Sequence, residues 1–272
     1  MGEMYDFTRS PVEVPENPQR IISFSPSVTE ILFELGMEDR LVGVSAFCAR
    51  PGGTSKIRKV GSYGSARLDV LKELDPDLVL TISGYQSEFS ETLRKNFNVF
   101  NFELPSSVAG IVDLVSRVGV VVNRMDEARH LEFELAKIMS GIRRHTSLRG
   151  YLEIDLGGPV TFGSESYITD FLEMVGLRTP YSGRRSEWVQ PDLDLVREFD
   201  PEVIFYEPKM YQKVSSESVM NLMMERRWEG VSAMRHNRVY RTPGTLDFFA
   251  HHGPSFIRYV MPWTVEILDS IF

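Results

Sequence analysis

The sequence repeats one thirteen-residue pattern at two places that lie 125 positions apart. Residues 68–80 read LDVLKELDPDLVL, and residues 193–205 read LDLVREFDPEVIF. In each copy, apolar residues at helical spacing precede an Asp-Pro pair, which ends a helix because the residue before proline avoids the α region. A short apolar run then follows, as in a buried strand. The pattern predicts a crossover helix leading into a buried strand in each half of the chain. Its apolar residues are also explained by packing alone, since any two α/β lobes use such units.

Strands and helices alternate around the first copy. Ser27, with Glu30 three positions later, has the spacing of a capping box, and Gly36 is placed to end the helix that would begin there. Further elements are expected at 20–25, 40–45, 77–83 and 98–103 as strands, with a loop at 51–53, and at 87–96 and 108–118 as helices. Strand and helix alternating at short spacing predict a parallel sheet with crossover helices.

One longer helical pattern separates the two halves. From Arg124 to His145 there is no proline, and the apolar residues Leu131, Leu135, Ile138 and Ile142 share one face. About 22 helical residues would span roughly 33 Å. After it the alternation restarts, with strands expected at 151–157 and 238–243 and a helix at 165–176.

The fold class predicted is therefore α/β, with two lobes of mostly parallel sheet flanked by helices and joined by one long backbone helix. The expected domains are an N-terminal lobe at 1–122, a connecting helix at 123–147 and a C-terminal lobe at 148–272.

Composition narrows the classes of partner and compartment. A net charge of −8 argues against binding of a nucleic-acid backbone, and the single cysteine, Cys48, excludes an internal disulfide or a cysteine-built zinc site. No run of eighteen apolar residues predicts a transmembrane segment. The first twenty residues are polar and do not resemble a signal peptide. We expect a monomer, extracytoplasmic if a leader was removed and cytoplasmic if the chain is complete.

Sequence signatures of catalysis and of metal binding are absent. GGTSK lacks the spacing of a phosphate-binding loop, GSYGSA is not a dinucleotide fingerprint, and neither GxSxG nor HExxH occurs. Nothing in the spacing of Ser164, Glu165 and Asp170 requires a catalytic role. His251 and His252 are adjacent and would face different ways, and the remaining histidines, at 130, 145 and 236, are isolated. We therefore predict no enzyme and no metal site.

Two long segments carry a resemblance to a known family. RIISFSPSVTEILFELGMEDRLVGVS and KVGSYGSARLDVLKELDPDLVL resemble the N-terminal lobe of the cobalamin- and iron-siderophore-binding proteins of ABC importers, which are helical-backbone periplasmic binding proteins. VTFGSESYITDFLEMVGL and WEGVSAMRHNRVYRTP resemble, more loosely, parts of their second lobe. The resemblance implies two lobes with a ligand cleft between them, and delivery of the ligand to a dimeric permease.

The loops after the carboxyl ends of strands are the usual ligand position in open α/β sheets. Aromatic residues there suit a large, flat, partly apolar ligand. Tyr63 and Trp188 match positions that are often aromatic in the cobalamin binders, whereas Phe47 and Phe162 also fit a packing role. The full set of candidates is Ser25, Pro26, Phe47, Tyr63 and Tyr85 in the first half and Phe162, Trp188, Glu207 and His252 in the second.

The resemblance implies a bound cobalt corrinoid or iron chelate, carried as cargo and not as an intrinsic cofactor. Haem is a further candidate, with Tyr63 or Tyr85 acting on its iron. The resemblance also implies one acid in each lobe that docks onto basic residues of the permease. By their spacing to each Asp-Pro pair these acids are Asp69 and Asp194, which also favour a helix N-terminus electrostatically.

Two alternatives stay open. One is an intracellular corrinoid- or metal-chelate-binding protein of the same fold without a transporter. The other is an enzyme on a two-lobed fold like that of the nitrogenase components.

Overall fold

The computed structural model describes residues 2–142 and 147–271, apart from the side chain of Tyr85. His145 therefore lies outside the described residues. The chain divides into two compact units. The first comprises the chain up to Pro105 together with Ile111–Ile138, and the second comprises Ser106–Gly110 together with the chain from Met139 onward.

The first unit contains a five-stranded parallel sheet and a separate antiparallel hairpin. The hairpin consists of β1 (Gly2–Tyr5) and β2 (Pro11–Val14). The sheet has the order β5-β4-β3-β6-β7, with β3 at Ile21–Ser23, β4 at Leu41–Ser45, β5 at Lys59–Gly61, β6 at Leu78–Ile82 and β7 at Val99–Phe102. Its helices are α1 (Pro26–Glu34), α2 (Leu68–Leu74), α3 (Ser87–Arg94), most of α4 (Val108–Val121) and most of α5 (Met125–Ser140).

The second unit contains a mixed sheet of six strands. The strands are β8 (Leu148–Asp155), β9 (Pro159–Phe162), β10 (Leu177–Arg178), β11 (Trp188–Val189), β12 (Val203–Glu207) and β13 (Val239–Arg241). Their order is β11-β9-β8-β12-β13, and β10 pairs with β8. β8, β12, β13 and β10 are parallel, whereas β9 and β11 are antiparallel to their neighbours. The helices are α6 (Tyr167–Met174), α7 (Leu193–Phe199), α8 (Ser216–Glu225), α9 (Ser232–Arg235) and α10 (Met261–Ile271).

The repeated pattern forms the same structure in both units. α2 and α7 each cover seven residues and end at an aspartate in the left-handed conformation, Asp75 (φ 42°) and Asp200 (φ 54°). The strand that follows, β6 or β12, is buried along its whole length. The predicted α/β fold with two lobes is confirmed.

Each copy of the pattern is anchored by an arginine at the start of the central strand, Arg20 just before β3 and Arg149 as the second residue of β8. Arg20 Nε donates to the carbonyls of Leu74 and Asp75 at 2.9 and 3.1 Å, and Arg149 Nε donates to the carbonyl of Asp200 at 2.8 Å. Because both guanidinium groups bond to carbonyls where α2 or α7 ends, each fixes the turn between that helix and the strand after it.

Two predicted details were wrong. The N-cap of α1 is Ser25, not Ser27, since its side chain accepts the Val28 N–H at 3.4 Å and Pro26 occupies the first helical turn, where its missing N–H costs nothing. Of the helical pattern predicted at 124–145, the part up to residue 142 lies within the described residues, and there the helix covers Met125–Ser140. Residues 111–138 group with the first unit, so the expected domain bounds stay a prediction.

Candidate functional site

In the first unit, candidate residues follow the carboxyl ends of β3, β4 and β5. Ser25 is buried and caps α1, with its hydroxyl 3.0 Å from that of Ser27. Pro26, next to it, is half-buried at the start of the same helix. Ser25 therefore fixes the backbone of this loop, and its contact with a ligand stays a prediction.

Phe47 and Tyr63 form an aromatic pair at this edge of the sheet. Their ring centroids lie 6.4 Å apart with an interplanar angle of 83°, and the Phe47 side chain is 38% exposed. Edge-to-face rings at this spacing attract each other while keeping surface open to a third partner. The pair provides an apolar surface of the kind that a large flat ligand would use.

A tight turn carries Tyr63. The Ser62 N–H donates to the carbonyl of Ser65 at 2.9 Å, and Gly61 pairs with Ala66 across the turn. A Cβ on Gly61 would lie 2.0 Å from the Ser65 carbonyl oxygen, so only glycine allows the turn to close. The turn is thus held by its own backbone, and the residue at position 63 is presented from a fixed base.

Behind the Phe47 loop lies a buried cluster of hydroxyl groups around Cys48. The Cys48 Sγ is 3.1 Å from Thr29 Oγ1 and 3.2 Å from Ser45 Oγ, and Thr29 Oγ1 donates to Ser23 Oγ at 2.9 Å. Burial raises the pKa of the Cys48 thiol, although the neighbouring hydroxyls lower it in part. The cluster joins β3, α1 and the loop after β4, and so fixes the loop that carries Phe47.

In the second unit, Phe162 and Trp188 lie side by side. They are directly paired residues of the antiparallel strands β9 and β11, and Trp188 is 59% exposed. Gly163, which follows, has the carbonyl oxygens of Arg184 and Ser186 at 2.4 and 2.5 Å from the position of a Cβ. The close approach of this loop requires glycine and sets the position of Trp188 against β9.

Glu207, the last residue of β12, is 1% exposed and bonds to backbone. Its carboxylate accepts the N–H groups of Phe248, Phe249 and Ala250 at 3.0, 2.5 and 3.4 Å. Burial raises the pKa of Glu207 to about 8; these N–H groups lower it, and Asp247 raises it. The expectation of a ligand contact at Glu207 stays untested, but the geometry makes it an anchor for the 248–250 segment.

That segment leads into the predicted His252. His252 is buried, and its ring lies 5.9 Å from the ring of Tyr167, whose hydroxyl donates to the carbonyl of Phe249 at 2.6 Å. His251 is also buried. Within residues 2–142 and 147–271, no group of three or more His, Cys, Asp and Glu side chains is arranged to hold a metal ion.

The two predicted docking acids occupy matching positions at the start of α2 and α7. Asp69 is exposed and lies in the electrostatic field of Arg58, whose guanidinium is paired with Glu73 at 2.7 Å. Asp194 is exposed and forms an ion pair with Arg197, one turn further along α7, at 2.8 Å. Each acid is therefore available at the surface of its unit, and Asp194 already has a local counter-ion.

The structure places one set of candidates in each unit, the first at the carboxyl edge of the parallel sheet and the second on the antiparallel pair β9 and β11. The first set consists of Pro26, Phe47 and Tyr63, and the second of Phe162 and Trp188. The side chain of Tyr85 lies outside the described part of the chain. Sequence reasoning missed Gln86, which is buried and bonds to the backbone of Tyr63 at 2.6 Å. A polar residue directly after a candidate loop was its only signal.

Comparisons with known proteins concern the family and the fold of the chain. Residues 21–246 match the model of a family described as periplasmic binding protein. The uncharacterized ABC transporter substrate-binding lipoprotein YvrC of Bacillus subtilis is 22% identical, covering 98% of this chain and 84% of YvrC. The vitamin B12-binding protein of Vibrio parahaemolyticus is 22% identical, covering 85% of this chain and 87% of that protein.

Among solved structures, the petrobactin-binding protein YclQ of Bacillus subtilis superimposes with a TM-score of 0.77. The match covers 98% of both chains at 16% identity, which shows a shared fold. In the described residues, no helix is long and apolar enough to cross a membrane.

Proposed function

The chain belongs to the periplasmic binding protein family, and we propose that it is the substrate-binding component of an ABC importer. Its relatives YvrC and the vitamin B12-binding protein carry names of this kind. The family assignment favours binding and delivery of a ligand over the enzyme alternative. The name of YvrC describes a lipoprotein, which supports an extracytoplasmic location over an intracellular one.

We propose that the ligand is a cobalt corrinoid or a ferric siderophore, with haem a further candidate. The observation that carries this proposal is the presence, in each unit, of an aromatic side chain held beside a close backbone approach that requires glycine. Tyr63, which is half-buried, lies on the turn after Gly61, and Trp188, which is exposed, lies on β11 beside the Gly163 loop. Rigid aromatic surfaces bind large flat or apolar ligands at small entropic cost. The resemblance places the ligand between the lobes, and that placement stays a prediction.

A thermal-shift panel tests the proposal. Cyanocobalamin, cobinamide, haemin and ferrichrome are each added to the full chain, since a ligand at a hundredfold excess over its Kd stabilises a protein by about 2.7 kcal/mol. We expect one chemical class to raise Tm by several degrees and the others not to. If no compound shifts Tm, the proposed ligand classes are wrong.

Two variants then test the site with the compound that binds. Tyr63→Ala and Trp188→Ala should each weaken binding by at least tenfold. Trp188→Ala should leave Tm of the free protein nearly unchanged, because Trp188 is exposed, and Tyr63→Ala should lower it only slightly, because Tyr63 is half-buried. Phe133→Ala is a matched control, since Phe133 is an exposed aromatic residue on α5, far in sequence from both Tyr63 and Trp188. Equal loss of affinity in the control would contradict the assignment.

We also propose that Asp69 and Asp194 dock the protein onto basic residues of the permease. The matching positions of the two acids in α2 and α7 support this role. Exposed ion pairs contribute little affinity each, about 0 to 1 kcal/mol, so the acids would act mainly on orientation and on the rate of association.

A further inference from the structure

We propose that Gln86 is a positioning residue that fixes the Tyr63 turn for ligand binding. The proposal rests on the proposed function, in which Tyr63 contacts the ligand. Gln86 itself is fully buried, so it would act through the backbone and not through direct contact.

One amide group joins three chain segments at the carboxyl edge of the first sheet. The Oε1 atom of Gln86 accepts the N–H of Ile82 at 3.0 Å, at the end of β6. The Nε2 atom donates to the carbonyl of Phe24 at 3.1 Å, just after β3, and to the carbonyl of Tyr63 at 2.6 Å. The loop after β3 carries Pro26 and the turn after β5 carries Tyr63, so Gln86 sets the spacing between two candidate loops.

Only an amide meets all three demands. A primary amide offers two N–H donors and an acceptor oxygen, which are the groups that the two carbonyls and one N–H require. The other bonds of the turn, such as that from Ser62 N–H to the Ser65 carbonyl, close it on itself. The bond from Gln86 ties the tip of the turn to the ends of β3 and β6, and thereby converts a closed turn into one with a fixed position.

The local hydrogen bonds of Gln86 extend to helix α3. Ser90 Oγ donates to the Gln86 carbonyl at 2.7 Å and lies 2.8 Å from Thr81 Oγ1 on β6. The backbone of Gln86 is therefore itself held against the sheet. Its amide is presented from a rigid base, as a residue that positions another must be.

Hydrogen exchange of the free protein tests the positioning directly. In Gln86→Met, which keeps the length of the side chain but removes its donors and acceptor, we expect the amides of residues 61–66 to exchange at least tenfold faster than in the wild type. The β6 amides from Leu78 to Thr81 should remain protected, because local opening and global unfolding are separate events. Ile82 is left out of this comparison, since its N–H loses its acceptor in the variant. Unchanged exchange at 61–66 would overturn the proposal.

Val99→Ala is the matched control for stability. Val99 is buried in β7 of the same unit, near the opposite end of the sheet, so its truncation weakens the core without touching the turn. Binding of cyanocobalamin, haemin and ferrichrome is then measured for both variants. A tenfold or greater loss in Gln86→Met alone supports positioning, whereas equal losses in both variants would reduce the effect to lost stability and contradict it.

Gln86→Glu supplies a signature that a merely structural role would not give. A protonated carboxyl keeps one donor and one acceptor, and an ionised one keeps no donor. Relative to the wild type at the same pH, the variant should therefore protect residues 61–66 and bind ligand better as pH falls. A variant that follows the wild-type pH profile would refute the role of the donor.

The two levels of proposal fail separately. If none of the probes binds the wild type, the proposed ligand classes are wrong, while the exchange measurements still decide whether Gln86 holds the turn. If a probe binds the wild type and Gln86→Met equally well, the positioning role is wrong and the proposed function stands.

Discussion

The two units share one arrangement of helix and strands, but at two matching positions the first unit has apolar residues and the second has glutamates. The central strands can be aligned by their register with the repeated strands, because Ile21 pairs with Leu78 in the first unit as Gly150 pairs with Val203 in the second. In this alignment Phe24, three residues after Ile21, matches Glu153, three residues after Gly150. At the ends of the repeated strands, Ile82 corresponds to Glu207.

The first unit packs these positions with apolar contacts. Phe24 is fully buried with its ring 4.9 Å from that of Phe89, edge to face, and Ile82 is fully buried. In the second unit Glu153 is buried and forms a two-point ion pair with Arg226 at 2.7 and 2.8 Å, and Glu207 is tied to the backbone of residues 248–250. The same arrangement of helix and strands therefore accommodates either apolar or charged residues at these positions. Only the charged residues of the second unit make the stability contributed by these positions depend on charge.

The largest expected difference follows from breaking the buried ion pair. Arg226→Met leaves the Glu153 carboxylate buried without its cation, and should lower the free energy of unfolding by about 3–5 kcal/mol. Chemical denaturation at neutral pH measures it. Adding Glu153→Leu to this variant should recover most of the loss, since an apolar pair of similar size is often as stable. A double variant no more stable than Arg226→Met would show that the pair is not the cause.

Glu207 should make the second unit sensitive to alkali. Its pKa is raised to about 8 in the folded protein, so the protonated form favours folding. That stability is fully present below the usual pKa of glutamate and is lost as pH rises through 8. The loss should be on the order of 5 kcal/mol, since the pKa rises from 4.5 to about 8 and one pKa unit corresponds to about 1.4 kcal/mol.

Denaturation midpoints between pH 5 and pH 9 measure this loss, with Glu207→Gln as the comparison. The amide does not titrate, so this variant should show a flatter profile over that range. Ile82→Val, at the matching position of the first unit, is the control and should keep the wild-type slope. A wild-type stability that is constant from pH 5 to pH 9 would contradict the assignment.

A smaller difference is expected at the left-handed residues that end the repeated helices. The carboxylate of Asp200 accepts the N–H and the hydroxyl of Ser232 at 2.7 and 2.8 Å, whereas within the described residues no hydrogen bond reaches the carboxylate of Asp75. Burial alone would raise the pKa of Asp200. The bonds from Ser232 and the charge of Arg149 outweigh that effect and bring the pKa below its ordinary value, so the carboxylate stays ionised.

Asparagine tolerates the left-handed conformation, so it isolates the effect of the charge. Asp200→Asn should destabilise by about 1 kcal/mol and Asp75→Asn by less than about 0.5 kcal/mol, judged by denaturation at pH 7. Equal effects would mean that the shared arrangement of helix and strands, and not the carboxylate, sets the stability of both turns.

The smallest effect on stability is expected at Asp69 and Asp194. Asp69→Lys and Asp194→Lys should each change the free energy of unfolding by less than about 0.5 kcal/mol, because both side chains are exposed. The double variant should bind ligand normally but fail to stimulate the ATPase of a reconstituted importer. Loss of ligand binding in that variant would contradict the docking role.

The sequence was sufficient to predict the shared arrangement of helix and strands but not the contacts that distinguish its two copies. The helices at Leu68–Leu74 and Leu193–Phe199 follow the repeated pattern residue for residue, because helical spacing and the Asp-Pro pair are local signals. Ser27 was wrongly chosen as a cap because Ser25 and Ser27 both precede the apolar run, and the deciding factor was the proline between them.

Long-range contacts explain the rest of what was missed. Gln86 bonds to Phe24, 62 positions earlier, and Glu207 bonds to residues more than 40 positions later, so no local pattern indicates either role. Among the aromatic candidates, Phe47 and Tyr63 each lie two residues after a strand end, whereas Phe162 and Trp188 lie in the paired strands β9 and β11. Their contact with a ligand stays a prediction.

The buried thiol of Cys48 has a practical consequence for labelling. It is the only cysteine in the sequence, it is inaccessible to solvent, and burial raises its pKa, so it should react slowly with maleimides in the native protein. A cysteine introduced at an exposed position such as Ser164 could then carry a fluorophore without removal of the native thiol. That position is one residue after Gly163, beside the loop that positions Trp188, so a change in the dye's fluorescence on ligand addition would report on the contact proposed for Trp188.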